Sequence, residues 1–531
     1  MRGKNWFART TVAALIVESG MTLMPAEAKT IKWAAQNDLL TFDPHAQNHQ
    51  TTLNFQMHVY EALTRYTKDY AVEGALATSW QQMSPTQWRF NLRKNVKFHD
   101  GTPFTADDVV FSYKRAGTPP SNLTSAVTGI KEVKKIDDYT VDLILEGPNP
   151  VLLRQIIEAR IMSRAWGEKN KVEKSQDYKA KEETFAARNA NGTGPYILKS
   201  WQADVKTELT LNKNWWDKME GNIDEVVFTP VKSDGTRVAA LLSGDVDIIT
   251  DPPPQDVAKL RQSGNLKIID GGENRTIFFG MDQFRDELQY SSVKGKNPLK
   301  DRRVRLALHS AIDADAIKRT LMRGQSIPAG MMIAPQVHGW SADMDKRVPV
   351  DVEGAKKLLA DAGYPQGFEV TLDCPNNRYV NDEEICQAVA SMWAKIGIKT
   401  KLNAMPFATY IPKILKNDTS IYMLGWGVST FDALYSLQAL QRTVDPKGGA
   451  DGSYNLGRYS NAKVDALIDS IKIETDVAKR DGLIRDAYKI LTDDVAYLPI
   501  HHQIRPWAMK KNVSTVHRAD DRQEAKWMKV E

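Results

Sequence analysis

The chain is short of most features that would assign a function at a glance. Only two cysteines occur in 531 residues, Cys374 and Cys386, and they form no C-x-x-C pair. No apolar run of 18 residues follows the N-terminus, which excludes a helical membrane span in the mature chain. Charge of one sign is not in excess: 71 Lys and Arg face 66 Asp and Glu, a net +5. With no basic stripe or Arg-rich run, nucleic acid is excluded as a partner. The signatures G-x-S-x-G, H-E-x-x-H and G-x-x-x-x-G-K-[ST] are missing, so nothing supports an enzyme or a catalytic residue. What remains, 42% apolar and 26% charged residues, is globular composition with length for two or three domains.

The N-terminus departs from this pattern. Arg2, Lys4 and Arg9 precede a mostly apolar stretch over 11–25, interrupted by Glu18, and Ala26-Glu27-Ala28 offers an A-x-A cleavage site. Residues 1–28 therefore read as a secretory signal peptide, with the mature chain starting near Lys29. No Cys stands at the cleavage site, so a lipoprotein anchor is not expected and a soluble periplasmic protein is. Removing 1–28 takes away three basic and two acidic residues and leaves +4. Export permits a Cys374–Cys386 disulfide, tying the end of a strand to the helix after it; two buried free thiols are the alternative.

Residues 97–115, KFHDGTPFTADDVVFSYKR, hold one His and three Asp. Trp88, Phe90 and Leu92 alternate with polar residues before them, as in a half-buried strand. Asp100-Gly101 marks a turn. Thr105 and Asp108 form a T-x-x-D capping box, and Phe104 and Val109 are placed for a hydrophobic staple. The acids have local structural tasks, and His99 has no partner at ligand spacing, so the stretch reads as scaffold. His45 and His49 stand i, i+4 but in a polar segment, and His501 and His502 would point to opposite faces of a strand. No metal site is expected. Residues 382–396 form an amphipathic helix through Ile385, Val389, Met392 and Ile396, capped by Asn381, between strands near 368–373 and 398–403: a β-α-β unit. A helix-then-strand alternation recurs at 234–249, and Asp251-Pro252-Pro253-Pro254 breaks the chain there.

With these elements placed, the order W-x-F-x-L-R (88–93), V-K-F-H-D-G (96–101), F-T-A-D-D-V (104–109) resembles bacterial extracellular solute-binding proteins of family 5, the dipeptide-, oligopeptide-, nickel- and opine-binding components of ABC importers. NGTGPYIL (191–198), RVAALLSGDVDI (237–248), LKDRRVRLALHSAID (299–313) and AKKLLADAGYPQGFEVTL (355–372) extend the resemblance. YSNAKVDALID (459–469) and AYLPIHHQI (496–504) carry it to the end, over about 30–520. It implies an α/β fold of two lobes around a cleft, with a subdomain inserted in lobe one. Lobe one would comprise 29–68, 191–275 and 492–531, the insertion 69–190, and lobe two 276–491. The crossings would fall near 273–282 and 496–504.

The same resemblance implies ligand contacts at three segments. Trp426, between Gly425 and Gly427, would supply a flat surface and an indole donor. Peptide-binding members commonly hold the α-amine with an Asp three residues on, where this chain has Ser429; Asp432 matches a second acidic position. Arg378 and Tyr379 are the nearest matches to an Arg and Tyr that hold a carboxylate. Asn48 and His49 match a loop near the ligand on lobe one. The implied function is a monomeric periplasmic binding protein without cofactor, passing a peptide or opine-like solute to a membrane permease driven by an ATPase. The rivals are a nickel- or metal-chelate binder of the same family, a sensory or chaperone-like periplasmic protein, and, from another class, a secreted hydrolase.

Overall fold

The computed structural model describes residues 28–447 and 449–531. The signal-peptide reading of 1–28 lies outside these residues, except for Ala28.

One eleven-stranded sheet runs through the molecule. Its middle is a pair of long antiparallel strands, Leu266–Met281 and Leu498–Lys510. To one side lie Ile248–Thr250, Thr30–Ala35 and Glu225–Pro230, mutually parallel, then the antiparallel Lys206–Leu211 and Tyr196–Gln202. To the other lie Ile421–Gly427, Glu369–Pro375 and Lys399–Met405, again mutually parallel. These are the two lobes.

Register fixes how the lobes face each other. Ile421 pairs with Met281 and Gly427 with Arg275, so the lobe-two strands run towards the middle of the long pair. Ile248 pairs with Met509 and Thr250 with Trp507, so the lobe-one strands run towards the same place from the other end. The C-terminal ends of both parallel sets therefore meet in one crevice, the usual ligand position in open α/β sheets. There the long pair loses register: Gly272 faces Ile504 and Thr276 faces His502, so Glu273, Asn274 and Arg275 stand against Gln503 alone. A bulge of this kind bends the strand and re-aims its side chains.

The β-α-β expectation holds: Glu369–Pro375, helix Asp382–Ala394 and Lys399–Met405 form it, with Ile385, Val389 and Trp393 buried. Its cap differs. Asn381 adopts a left-handed φ of 54° and donates to Leu321 O, while the Asp382 carboxylate accepts the N–H groups of Arg378, Tyr379 and Glu383. A carboxylate satisfies more free N–H groups at once than an amide oxygen. Cys374 and Cys386 are joined as a disulfide between that strand and that helix.

The inserted sheet is antiparallel, ordered Ala77–Ser84, Gln87–Leu92, Thr140–Leu145, Ile130–Asp137. The hairpin of Thr64–Tyr66 with Val72–Gly74 straddles the boundary drawn at 68, because strand pairing, which the resemblance does not show, joins its two sides. The 97–115 stretch is scaffold. Asp108 accepts the Thr105 N–H at 2.8 Å, and Phe104 and Val109 are buried together. His99 Nε2 meets Gly194 O at 3.0 Å, and its N–H donates to Gly192 O. The glycines of NGTG serve a second close approach, to the end of the helix Gln50–Val59: a Cβ on Gly192 would stand 2.0 Å from Val59 O, and one on Gly194 2.5 Å from His58 O.

Candidate ligand-binding cleft

The cleft is built by the bulge and the loops after the parallel strands. Gln36 follows Thr30–Ala35, Asp251 to Gln255 follow Ile248–Thr250, and Asn377 to Asn381 follow Glu369–Pro375. With Gln325 and Gln503 to Pro506 they line a cavity of about 320 Å³. Residues of both lobes and of the crossing strand thus share one space.

Charge in this space is sorted. Arg378 has no acidic partner within 4 Å among the described residues. Its guanidinium lies 5.2 Å from the Tyr379 ring centre and 5.3 Å from that of Phe407, and solvent reaches the side chain. Crowding by the cleft walls, and then the charge of Arg275, hold its pKa below the usual range. Glu273 is 3% exposed and bonds Arg275 at 3.1 Å. Burial pushes its carboxyl up, but Arg275 and Arg505 outweigh this and hold it down. Arg505 pairs with Asp251 and, at 3.1 Å, with Asp521. Burial, and then the neighbouring Asp251 charge, raise the Asp521 carboxyl.

The residues expected from sequence do not all meet. Arg378 and Tyr379 stand side by side at the cavity. Tyr379 packs flat on Gly425, where a Cβ would lie 2.6 Å from its ring, so glycine is required there. Trp426 is on the other face of the same strand, because side chains alternate: Met423 joins the core with Tyr379, while Leu424 and Trp426 pack with Tyr422 and Val428. Its ring centre is 5.5 Å from Tyr435 and 4.9 Å from Tyr454, and its indole N–H is buried without an acceptor. Ser429 is exposed on the loop that follows. Asn48 is exposed, and His49 precedes the helix Gln50–Val59 with Nδ1 3.3 Å from Thr52 Oγ1; neither lines the cavity of Arg378.

Asp432 needs a correction. It is 2% exposed, and both oxygens are taken by Arg480, at 2.7 and 2.8 Å. His338 and the N–H of Leu434 add further bonds. Burial opposes its charge, but Arg480 prevails and holds the carboxyl far below the usual range. A carboxylate so engaged braces the loop and has no lone pair left for a ligand.

The histidine pairs are also engaged. His45 is buried against Arg160 O and the Asp43–Arg115 ion pair. His502 bridges Thr276 and Asp345 at 2.9 and 2.8 Å, while His501 points away from it. The residues missed from sequence are Glu273, Arg275, Arg505 and Asp251. The first three lie on the crossing strands: Arg505 lines the cavity from the regularly paired part, and Glu273 and Arg275 stand in the bulge beside it. Asp251 lies in DPPP, a signal read as a chain break.

Two lobes whose parallel strands end in a shared polar crevice define a solute-binding protein. A model of the bacterial extracellular solute-binding proteins, family 5, matches residues 71–447, and the chain belongs to that family. Heme-binding protein A of Haemophilus influenzae is 27% identical, over 84% of this chain and 82% of its own. The periplasmic oligopeptide-binding protein OppA of Escherichia coli is 25% identical, over 94% and 92%. The solved structure of HbpA2 from Haemophilus parasuis superposes with a TM-score of 0.80 at 24% identity, covering 94% of this chain and all of that one. The protein is a substrate-binding protein, and among the described residues no helix is long and apolar enough to cross a membrane.

Proposed function

We propose that the protein captures a small polar organic solute bearing a carboxylate, a peptide or modified amino acid, and delivers it to the permease of an ABC importer. The unpartnered Arg378 guanidinium in the interlobe cavity carries this reading. Arg378 is exposed at the cavity and has no acidic partner to displace, and its planar fork fits a carboxylate through two parallel hydrogen bonds. Binding protein of this kind does no covalent chemistry. The lobes close on the ligand by bending at the bulge, and buried polar groups replace its water. The relatives support this reading through what their names state, an oligopeptide in one case and heme in another. Both are carboxylate-bearing molecules. Export through a signal ending near Ala28, release into the periplasm and work as a monomer complete the proposal.

Thermal unfolding of residues 29–531 against dipeptides to pentapeptides, opines, oligosaccharides and nickel with and without chelators tests it. A ligand at about 100 times its dissociation constant adds roughly 2.7 kcal/mol of stability. The expected result is a saturable shift with a carboxylate-bearing class that Arg378→Ala removes. A shift confined to oligosaccharides, or one that Arg378→Ala leaves intact, refutes it.

A further inference from the structure

Arg378 is held in a way that the neighbouring cleft arginines are not. Arg275 bonds Glu273, and Arg505 bonds Asp251 and Asp521, so carboxylates occupy their donors. The Arg378 guanidinium instead lies over two aromatic rings, Tyr379 at 5.2 Å and Phe407 at 5.3 Å. Both distances are within reach of a cation–π attraction. Such an attraction consumes no N–H group, whereas a carboxylate partner takes up to two. Among the described residues the guanidinium donates no hydrogen bond, and only the backbone N–H of Arg378 is engaged, by Asp382.

Both rings are themselves fixed. Tyr379 belongs to one lobe-two core and packs on Gly425. Phe407 opens the helix Phe407–Leu415, is half-buried, and rests on the other lobe-two core with Tyr410 and Ile414. The two segments are laced together: the Asn376 N–H donates to Met405 O at 3.1 Å, and Asn377 Oδ1 accepts the Phe407 N–H at 2.8 Å. Asp382 takes the N–H groups of Arg378 and Tyr379 at 2.9 and 3.0 Å, and the Cys374–Cys386 bridge closes the base of the loop. Loop and rings are thus ordered without using the guanidinium donors.

We propose that Phe407 is a positioning residue for the ligand's carboxylate: with Tyr379 it steadies the Arg378 guanidinium before the ligand arrives and leaves its N–H fork free. This rests on the carboxylate-binding reading and deepens it, because preference for an ionised carboxylate over a neutral amide then depends on a ring outside the cavity wall. Ordering a long side chain at the moment of binding weakens affinity, and a guanidinium already steadied by rings has less freedom to lose. The rings bring no negative charge, so the full charge of Arg378 is kept for the anion. Nothing local to Arg378 in the sequence marks Phe407, which reaches it from the far end of the β-α-β unit.

The test uses alanyl-alanine and its C-terminal amide, with calorimetric dissociation constants for wild type, Phe407→Leu, Phe407→Tyr, Arg378→Ala and the Phe407→Leu, Arg378→Ala double variant. Leu fills the half-buried position without a ring, Tyr restores the ring, and circular dichroism checks the fold. The expected result is that Phe407→Leu lowers the preference for acid over amide about 2- to 10-fold, the range that ordering one long side chain spans. The loss falls on the acid alone, Phe407→Tyr keeps the preference, and the double variant loses no more than Arg378→Ala. Equal weakening of both probes, or a preference that Phe407→Leu leaves unmoved, overturns the Phe407 assignment and leaves the carboxylate reading standing. Equal binding of acid and amide by wild type overturns both. A ligand-free measurement decides the assignment where the dipeptide does not bind. The Nε–H nuclear magnetic resonance of Arg378, identified by its loss in Arg378→Ala, should carry a ring-current shift that Phe407→Leu reduces and Phe407→Tyr keeps. A resonance that Phe407→Leu does not move overturns the assignment.

Discussion

Phe431 provides the sharpest test of how the lobes stay together. It follows the lobe-two strand Ile421–Gly427, is 1% exposed and adopts a left-handed φ of 49°. Its ring stacks on Tyr70 at 4.2 Å and 14° and meets Tyr66 edge-on at 5.3 Å, both residues preceding the inserted sheet. Tyr66 Oη donates to Thr430 O at 2.8 Å. These contacts join the lobes, so an opening that parts Phe431 from Tyr66 and Tyr70 must break them. Truncating a buried Phe to Ala costs about 3–5 kcal/mol, and aromatic pairing adds about 0.5–1.5 kcal/mol per pair beyond buried area. Taking about 3 kcal/mol for a socket that solvent refills, Phe431→Ala lowers the closed-to-open ratio roughly 150-fold. Apparent affinity falls with the closed fraction. Small-angle scattering of ligand-free Phe431→Ala should show a larger radius of gyration than wild type, and calorimetry a weaker ligand. Unfolding of the two lobes should change far less, because neither lobe's own core loses a contact. An unchanged radius together with unchanged affinity refutes the reasoning.

Other outcomes follow from the same geometry. Arg480→Ala leaves Asp432 buried and charged, so chemical denaturation should show a loss of about 3–5 kcal/mol, whereas replacing both partners by apolar residues should cost much less. His45 and His58, whose pKa values burial lowers to about 4, and His309 and His501, lowered to about 3, are neutral in the folded state. The unfolded chain binds their protons from about pH 6.5 downward. Their contribution is therefore intact above pH 6.5 and erodes as pH falls towards 4, by up to about 1.4 kcal/mol per unit for each group. Melting temperature measured from pH 7 to 4 should fall accordingly, and a flat profile contradicts the burial argument. Removing the Cys374–Cys386 bridge, which closes a 12-residue separation, should cost roughly 2–4 kcal/mol, read from the melting temperature with and without reductant.

Local pattern explains which parts of the molecule were readable. The capping box at Thr105 and Asp108, the apolar face of Asp382–Ala394 and the alternation of 88–92 all concern neighbours within one or two turns, and each is present. Arg378 and Tyr379 were legible through a resemblance, and they do line a cavity. Asp432 was not, because its partner Arg480 is 48 residues away and nothing near Asp432 announces it. Trp426 shows a subtler limit. Its strand was readable, but whether it shares a face with Tyr379 depends on which side Gly425 presents, and that is settled by packing against Ile277.

By itself the sequence determined the α/β class, the family and the scaffold role of 97–115, because motif order and short-range periodicity are properties of neighbouring residues. The tertiary structure decided which charged groups meet at the cleft. Glu273, Arg275, Arg505, Asp251 and Arg378 come from segments up to about 250 residues apart, such as the Asp251–Arg505 pair at 254. They converge only where two long strands lose register and two sets of strand ends meet, and that convergence depends on strand pairing, which leaves no local mark in the chain.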